Sequence, residues 1–306
     1  MLYRPLGRTG LTVSEIGLGC ASWWGAAAFA EREALALVHA AIDHGVTLFD
    51  TGSSYSGGLA EARLGRALKG KAAGDLVVAT KAGTWRQGSR LVRDFSPAAI
   101  EAGVLRSLSN LGLDCLPLLQ LHGVVTPELT DDLVDALLEL RRRGLVRALG
   151  VNSFDPRIVD HVTAMEVFDV VMTDYNILRP ERGPVVARAA ERGKGVLAGM
   201  ALAMGHPVGR TRGVRSRRDL WYALRALRHH RADVKRGRRF AFLNELSGMT
   251  GAQAALAYVL RDQNVASVVM GTTQMAHLVE NIGASGLRLP DEVMARIEAA
   301  QMGSAR

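Results

Sequence analysis

Asp50, Tyr55, Lys81 and His122 are an acid, a phenol, an amine and an imidazole. Each stands where an apolar run gives way to a loop, in FDTGSSY, VVATK and LLQLH. Residues of these types can assemble a proton donor for a carbonyl oxygen. A phenol is a poor acid at neutral pH, with an ordinary pKa near ~10. A neighbouring ammonium favours the phenolate and so eases release of the proton. Lys81 suits that task, Asp50 can pair with it and hold it charged, and His122 can donate a hydrogen bond to the substrate oxygen. The hydride has to come from a cofactor, since no side chain supplies one. Taken singly, each residue has an ordinary explanation: Tyr55 as a surface or packing residue, Lys81 as a snorkelling strand end, His122 as a satisfied core histidine, Asp50 as a turn cap.

The positioning elements follow from hydrophobic patterning. Short apolar runs at Ile16–Gly19, Val46–Asp50, Leu76–Lys81, Pro117–His122, Val146–Val151, Val170–Asp174, Gly195–Gly199 and Ser267–Gly271 read as strands. Between them, Glu31–His44, Ala60–Leu68, Pro97–Leu111, Thr130–Arg143, Glu181–Arg192 and Gly251–Arg261 read as amphipathic helices. Ser96-Pro97 is a helix start, and Gly144 after Arg141–Arg143 a helix stop. Continuous apolar strands suit a parallel sheet covered on both faces. Eight βα repeats predict a (β/α)8 TIM barrel, with a doubly wound sheet as the alternative. Residues 3–13 predict a hairpin ahead of the first barrel strand, and Pro290–Met302 an outer C-terminal helix. In such a barrel, all four polar residues fall at the carboxyl ends of strands two to four, where active sites cluster. No linker or repeat divides residues 1–306, so one domain is expected.

Composition narrows the class. The chain is 48% hydrophobic and carries two cysteines, Cys20 and Cys115, outside any CxxC spacing, which predicts a reducing, cytoplasmic setting without disulfides or a metal cage. No secretory h-region or membrane-length apolar run is present. The net charge of +8 is concentrated: residues 206–239 hold twelve Lys or Arg against Asp219 and Asp233. This basic insertion, with Arg210, Arg212, Arg215, Arg217 and Arg218, could clamp phosphates or attract an anionic substrate, or be a solvated surface helix. It carries no nucleic-acid-binding module, and no nucleic-acid or membrane partner is expected. Trp23, Trp24 and Trp85 follow strands one and three, and could wall a substrate pocket or pack a lid.

The segment Phe49-Asp50-Thr-Gly-Ser-Ser-Tyr55, followed by Glu61 and Leu64-Gly65, resembles the aldo-keto reductase signature, and the likeness extends over nearly the whole chain. The resemblance implies an NAD(P)-dependent oxidoreductase that interconverts a carbonyl or imine with the corresponding alcohol or amine. Tyr55 would then be general acid in reduction and general base in oxidation. Gly150-Val-Asn152-Ser153-Phe is similar to the family's G-V-S-N-F, with the two carboxamide-binding residues exchanged. Met172 stands where a carboxamide-binding Gln is usual. Gly199, ahead of Leu202, stands where an aromatic ring usually lies under the nicotinamide, a small-residue pattern shared with sugar and pyridoxal dehydrogenases. Gly271-Thr272-Thr273 with Glu280-Asn281 resembles the turn and helix that hold phosphate and adenine. His277 occupies the position of an Arg common in NADP-dependent members, which leaves NADP(H) and NAD(H) both open. The same fold serves cofactor-binding regulatory subunits, such as potassium-channel beta subunits, so a binding subunit or scaffold with little turnover is the alternative. The substrate and the oligomeric state are not legible.

Overall fold

The computed structural model describes residues 1–71, 75–88, 90–203 and 231–303. Eight parallel strands close into a barrel: β3 (Ile16–Gly19), β4 (Leu48–Asp50), β5 (Val77–Ala82), β8 (Leu116–His122), β9 (Val146–Asn152), β10 (Val170–Thr173), β11 (Gly195–Ala198) and β12 (Ser267–Met270). They match the eight apolar runs, and the doubly wound alternative is excluded by the pairing of β12 with β3. Outside the barrel lie α1 (Glu31–Asp43), α2 (Leu59–Leu68), α3 (Pro97–Leu111), α4 (Asp131–Arg142), α5 (Pro156–Thr163) and α6 (Gly183–Glu191). Beyond the undescribed residues come α7 (Arg231–Gly237), α8 (Gly251–Leu260), α9 (Met275–Ile282) and α10 (Asp291–Met302).

Helix boundaries follow local chemistry. Ser96 accepts a hydrogen bond from the Ala99 N–H and Pro97 opens α3, while Gly112 at φ +67° ends it. Thr130 caps α4, and Thr250 with Gln253 forms a reciprocal capping box on α8.

Two apolar layers result from the two-residue period of the strands. One lies inside the barrel, built from residues such as Leu48, Val77, Ala79, Leu118, Ala148, Val170, Met172, Leu197 and Val269. The other packs outward-facing residues such as Phe49, Val78, Leu119, Leu149, Val171, Val196 and Val268 against the helices. The predicted hairpin forms from β1 (Tyr3–Pro5) and β2 (Thr12–Ser14), and its Leu6, Leu11 and Val13 complete the inner layer from below. Gly7 sits so close to the floor that an added Cβ would meet Gly195 N at 2.2 Å. Helix α10 docks through Val293, Ile297 and Gln301, whose amide donates to Ile177 O at 2.9 Å.

An antiparallel arm, β6 (Thr84–Gln87) with β7 (Arg90–Arg93), projects after β5 and was not anticipated. Apart from buried Thr84 its residues are half-buried or exposed, and they lack the apolar run of a barrel strand. The turn signal Gly88-Ser89 was present in the sequence.

Candidate active site

The inward series Val77, Ala79 on β5 continues to Lys81, and Leu118 on β8 continues to Gln120 and His122. The same parity carries Leu48 to Asp50 on β4. Tertiary structure thus brings the four candidate residues to one end of the barrel. Lys81 Nζ donates to Asp50 Oδ1 and Oδ2 at 2.7 and 2.6 Å and to Thr51 O at 2.8 Å. The side chains of the pair are 1% and 5% exposed. Burial works against the ammonium, but Asp50 and the Tyr55 hydroxyl outweigh it and raise the Lys81 pKa above its ordinary value. The Lys81 nitrogen lies 5.0 Å from the centre of the Tyr55 ring. Ser56, Gly57 and Gly58, with φ of 52°, 68° and 88°, turn the chain sharply after Tyr55. The ring lies close over Gly52, where an added Cβ would meet Tyr55 Cε2 at 3.3 Å.

His122 meets Tyr55 edge-on, with ring centres 5.8 Å apart and planes at 82°. Burial, reinforced by Lys81 and Arg93, pushes its pKa down to about 4, so the imidazole is neutral at pH 7. A neutral imidazole can donate a hydrogen bond but is no reservoir of protons. Several supporting residues escaped sequence reasoning. Gln120 Nε2 donates to Asp50 Oδ1 at 3.2 Å. Thr84 Oγ1 stands 2.9 Å from His122 Nδ1, and Ser53 Oγ contacts both Lys81 O and Thr84 O at 2.8 and 2.9 Å. Their signal was partly visible: Ser53 and Ser54 lie within the quoted motif, and Gln120 continues the inward parity of its strand.

The tryptophans separate. Trp24 is 1% exposed and its indole N–H donates to Ala34 O at 3.3 Å, so it packs under the loop after β3 and forms no open wall. Trp23 is half-buried on the neighbouring turn, which packs against the turn that starts at Tyr55. Trp85 lies on the β6–β7 arm, with the Arg106 guanidinium of α3 5.9 Å from its ring centre.

Around the rim, Asn152 ends β9 and Ser153 follows it, both nearly buried. Met172 and Gly199 prove to be a matched pair: a Cβ at Gly199 would meet Met172 Cε at 2.9 Å. The flexible end of the methionine occupies part of the space that a side chain at 199 would take. Leu202 is half-buried in a tight turn whose Met200 and Ala203 have φ of 54° and 44°. Gly271 is exposed, and Thr272 Oγ1 accepts from Gln274 N at 3.1 Å, turning the chain into α9. Thr273, His277 and Glu280 are half-buried at this turn and on α9. Asn281, expected to face adenine, is 3% exposed, with its amide on Met270 Sδ at 3.5 Å. Helical periodicity explains this: Leu278, Asn281 and Ile282 form the face of α9 that packs inward.

Most of the basic segment, residues 206–230, lies outside the described residues. Its end is anchored: Arg179 pairs with both Asp174 and Asp233 of α7, at 2.5 and 3.2 Å, and Arg182 with Asp174 at 2.9 Å. Among the described residues no cluster of potential metal ligands occurs, and no helix is long and apolar enough to cross a membrane.

The aldo/keto reductase family model matches residues 15–301. The chain belongs to the aldo-keto reductase family. It is 29% identical over 301 residues to the "Uncharacterized oxidoreductase YqkF" of Bacillus subtilis (strain 168), covering 94% of this chain and 92% of that one. To the L-galactose dehydrogenase of Arabidopsis thaliana it is 28% identical over 324 residues, covering 97% and 93%. Its fold superposes on the holo form of aldo-keto reductase AKR11C1 from Bacillus halodurans with a TM-score of 0.80 at 26% identity, covering 98% and 96%.

This aldo-keto reductase is an NAD(P)-dependent oxidoreductase. Its rim suits such a cofactor on two counts. Glu280 Oε1 is buried without a hydrogen-bond partner among the described residues, an acceptor matched to an amine donor such as that of adenine. Gly271 leaves its backbone open to close approach, since an added Cβ would find only Gly19 O, at 3.4 Å.

Proposed function

We propose that this aldo-keto reductase reduces a carbonyl, or oxidises the corresponding alcohol, with Tyr55 as the group that gives or takes the proton. The convergence of Lys81, Asp50, Tyr55 and His122 inside one barrel mouth carries this reading. When bound, the nicotinamide cofactor supplies the hydride. Tyr55 Oη gives its proton to the developing alkoxide, and the resulting phenolate is stabilised by the Lys81 cation. Asp50 keeps that cation charged and in place. His122, neutral at pH 7, orients the substrate oxygen by hydrogen bonding and leaves the proton transfer to Tyr55.

Asn152, Ser153, Gly199, Leu202, Gly271, Thr272, Thr273, His277, Glu280 and Asn281 are the proposed cofactor contacts on this rim, with Trp23 and Trp85 nearer the substrate. NADP(H) and NAD(H) both remain compatible, and the relative named for L-galactose makes sugars and polyols the first substrates to try.

The test is titration of the protein with NADPH and NADH, followed by a carbonyl and alcohol panel. Tyr55→Phe should bind cofactor normally and lose activity by roughly 10²–10⁴-fold, the range for a removed general acid. Undiminished turnover in that variant would refute the assignment. Tight cofactor retention without turnover of any substrate in the wild type would instead favour a binding subunit.

A further inference from the structure

Two hydroxyls face the same nitrogen of His122. Thr84 Oγ1 is 2.9 Å and Ser54 Oγ 3.5 Å from Nδ1. Both residues are nearly buried, at 7% and 8% exposure. Neither hydroxyl has another hydrogen-bond acceptor among the described residues. Thr84 is held in place by its own carbonyl, which accepts from Ser53 Oγ at 2.9 Å, and Ser53 is tied in turn to Lys81 O. The β6–β7 arm is therefore fastened to the end of the strand that carries the lysine.

A hydroxyl brings a hydrogen that must go to an acceptor, while a neutral imidazole has one donor nitrogen and one acceptor nitrogen. If Nδ1 carried the hydrogen, both hydroxyl hydrogens would lack an acceptor in a nearly buried site, a costly arrangement. If Nδ1 is the acceptor, Thr84 is satisfied at good distance and Ser54 takes the longer, weaker share. The imidazole hydrogen then resides on Nε2, since the bond made by one ring nitrogen sets the state of the other.

We propose that Thr84, seconded by Ser54, holds His122 in the tautomer with its hydrogen on Nε2, making both hydroxyls positioning residues. The consequence for catalysis rests on the carbonyl-reducing role given to the site above. Nε2–H is the donor presented to the substrate oxygen, and Thr84 acts through His122 without touching substrate. The arm between β5 and α3 is thereby a working part of the site.

The tautomer can be read without cofactor, substrate or turnover. Full-length protein labelled with ¹⁵N-histidine is examined at pH 7 by long-range ¹H–¹⁵N NMR, with His122→Asn assigning the resonance. The wild type and Thr84→Ser should show the Nε2–H pattern. Thr84→Val, nearly the same shape, should show a mixture, and Thr84→Val with Ser54→Ala a larger Nδ1–H share. In kinetics, Thr84→Val should lower kcat/KM by roughly three- to tenfold, the effect of one weakened neutral hydrogen bond. Thr84→Ser should restore most of it. An Nδ1–H wild type, or an unchanged Nε2–H pattern in the double variant, would overturn the proposal. An inactive wild type with the Nε2–H pattern would overturn the reductase reading while supporting this one.

Discussion

Replacing Lys81 by Met removes a charge from the most buried ion pair at the barrel mouth while nearly preserving volume. Asp50 then loses the donor that met both of its oxygens, at 2.6 and 2.7 Å, and keeps Gln120 Nε2 at 3.2 Å. Leaving one partner of a buried pair uncompensated costs about 3–5 kcal/mol. The carboxyl can relieve part of this by taking up a proton. Burial is already the largest influence on Asp50, raising its pKa above 3.8, and Lys81 is the largest opposing pull. Without the lysine the folded pKa rises further. A group whose folded pKa lies above its unfolded value stabilises the protein below the unfolded value, and that stability is lost as pH climbs through the folded one. The Lys81→Met penalty should accordingly be larger at pH 8 than at pH 5. Adding Asp50→Asn should recover part of the loss and flatten its pH dependence. Urea unfolding of the wild type, both single variants and the double variant at the two pH values completes the cycle. A Lys81→Met penalty at pH 8 no larger than the ~1 kcal/mol of an exposed pair would refute the reasoning. So would a penalty independent of pH.

Three further outcomes follow from the site, its rim and the floor. His122 is held at about 4 against 6.5 in an open chain, so the unfolded state binds a proton first on acidification. Stability should fall between about pH 6.5 and pH 4 by up to about 3 kcal/mol, at ~1.4 kcal/mol per tenfold change in proton affinity. His122→Gln should remove that part of an unfolding-versus-pH profile, and an unchanged profile would contradict it. Gly199→Ala should cost less than ~1 kcal/mol, because only the mobile end of Met172 must yield. Gly7→Ala, at φ +54° and against Gly193 and Gly195 backbone, should cost about 1–3 kcal/mol or more. Thermal unfolding of the two variants would separate these effects, and equal melting temperatures would count against the steric account.

Much of this protein was legible along the chain because its signals are local. Eight apolar runs and the amphipathic stretches between them, some with a capping residue such as Ser96, Thr130 or Thr250, specify strands and helices through nearest-neighbour geometry, and their alternation leaves few ways to close a sheet. The spacing of Asp50 and Tyr55, with Lys81 and His122 ending later strands, located the candidate groups that the barrel gathers at one end for the same reason. What each group touches was decided only by closure. The contact of Gln120 with Asp50 spans 70 residues, and that of Thr84 with His122 spans 38. Likewise, the sequence showed three tryptophans after the right strands, but only packing put Trp24 under a loop and left Trp23 partly open. Asn281 turned inward and Met172 filled the space beside Gly199 because burial and steric fit act between elements far apart in the chain. Periodicity sets which way a side chain points relative to its own element, whereas its partner is set by the elements that the fold brings alongside.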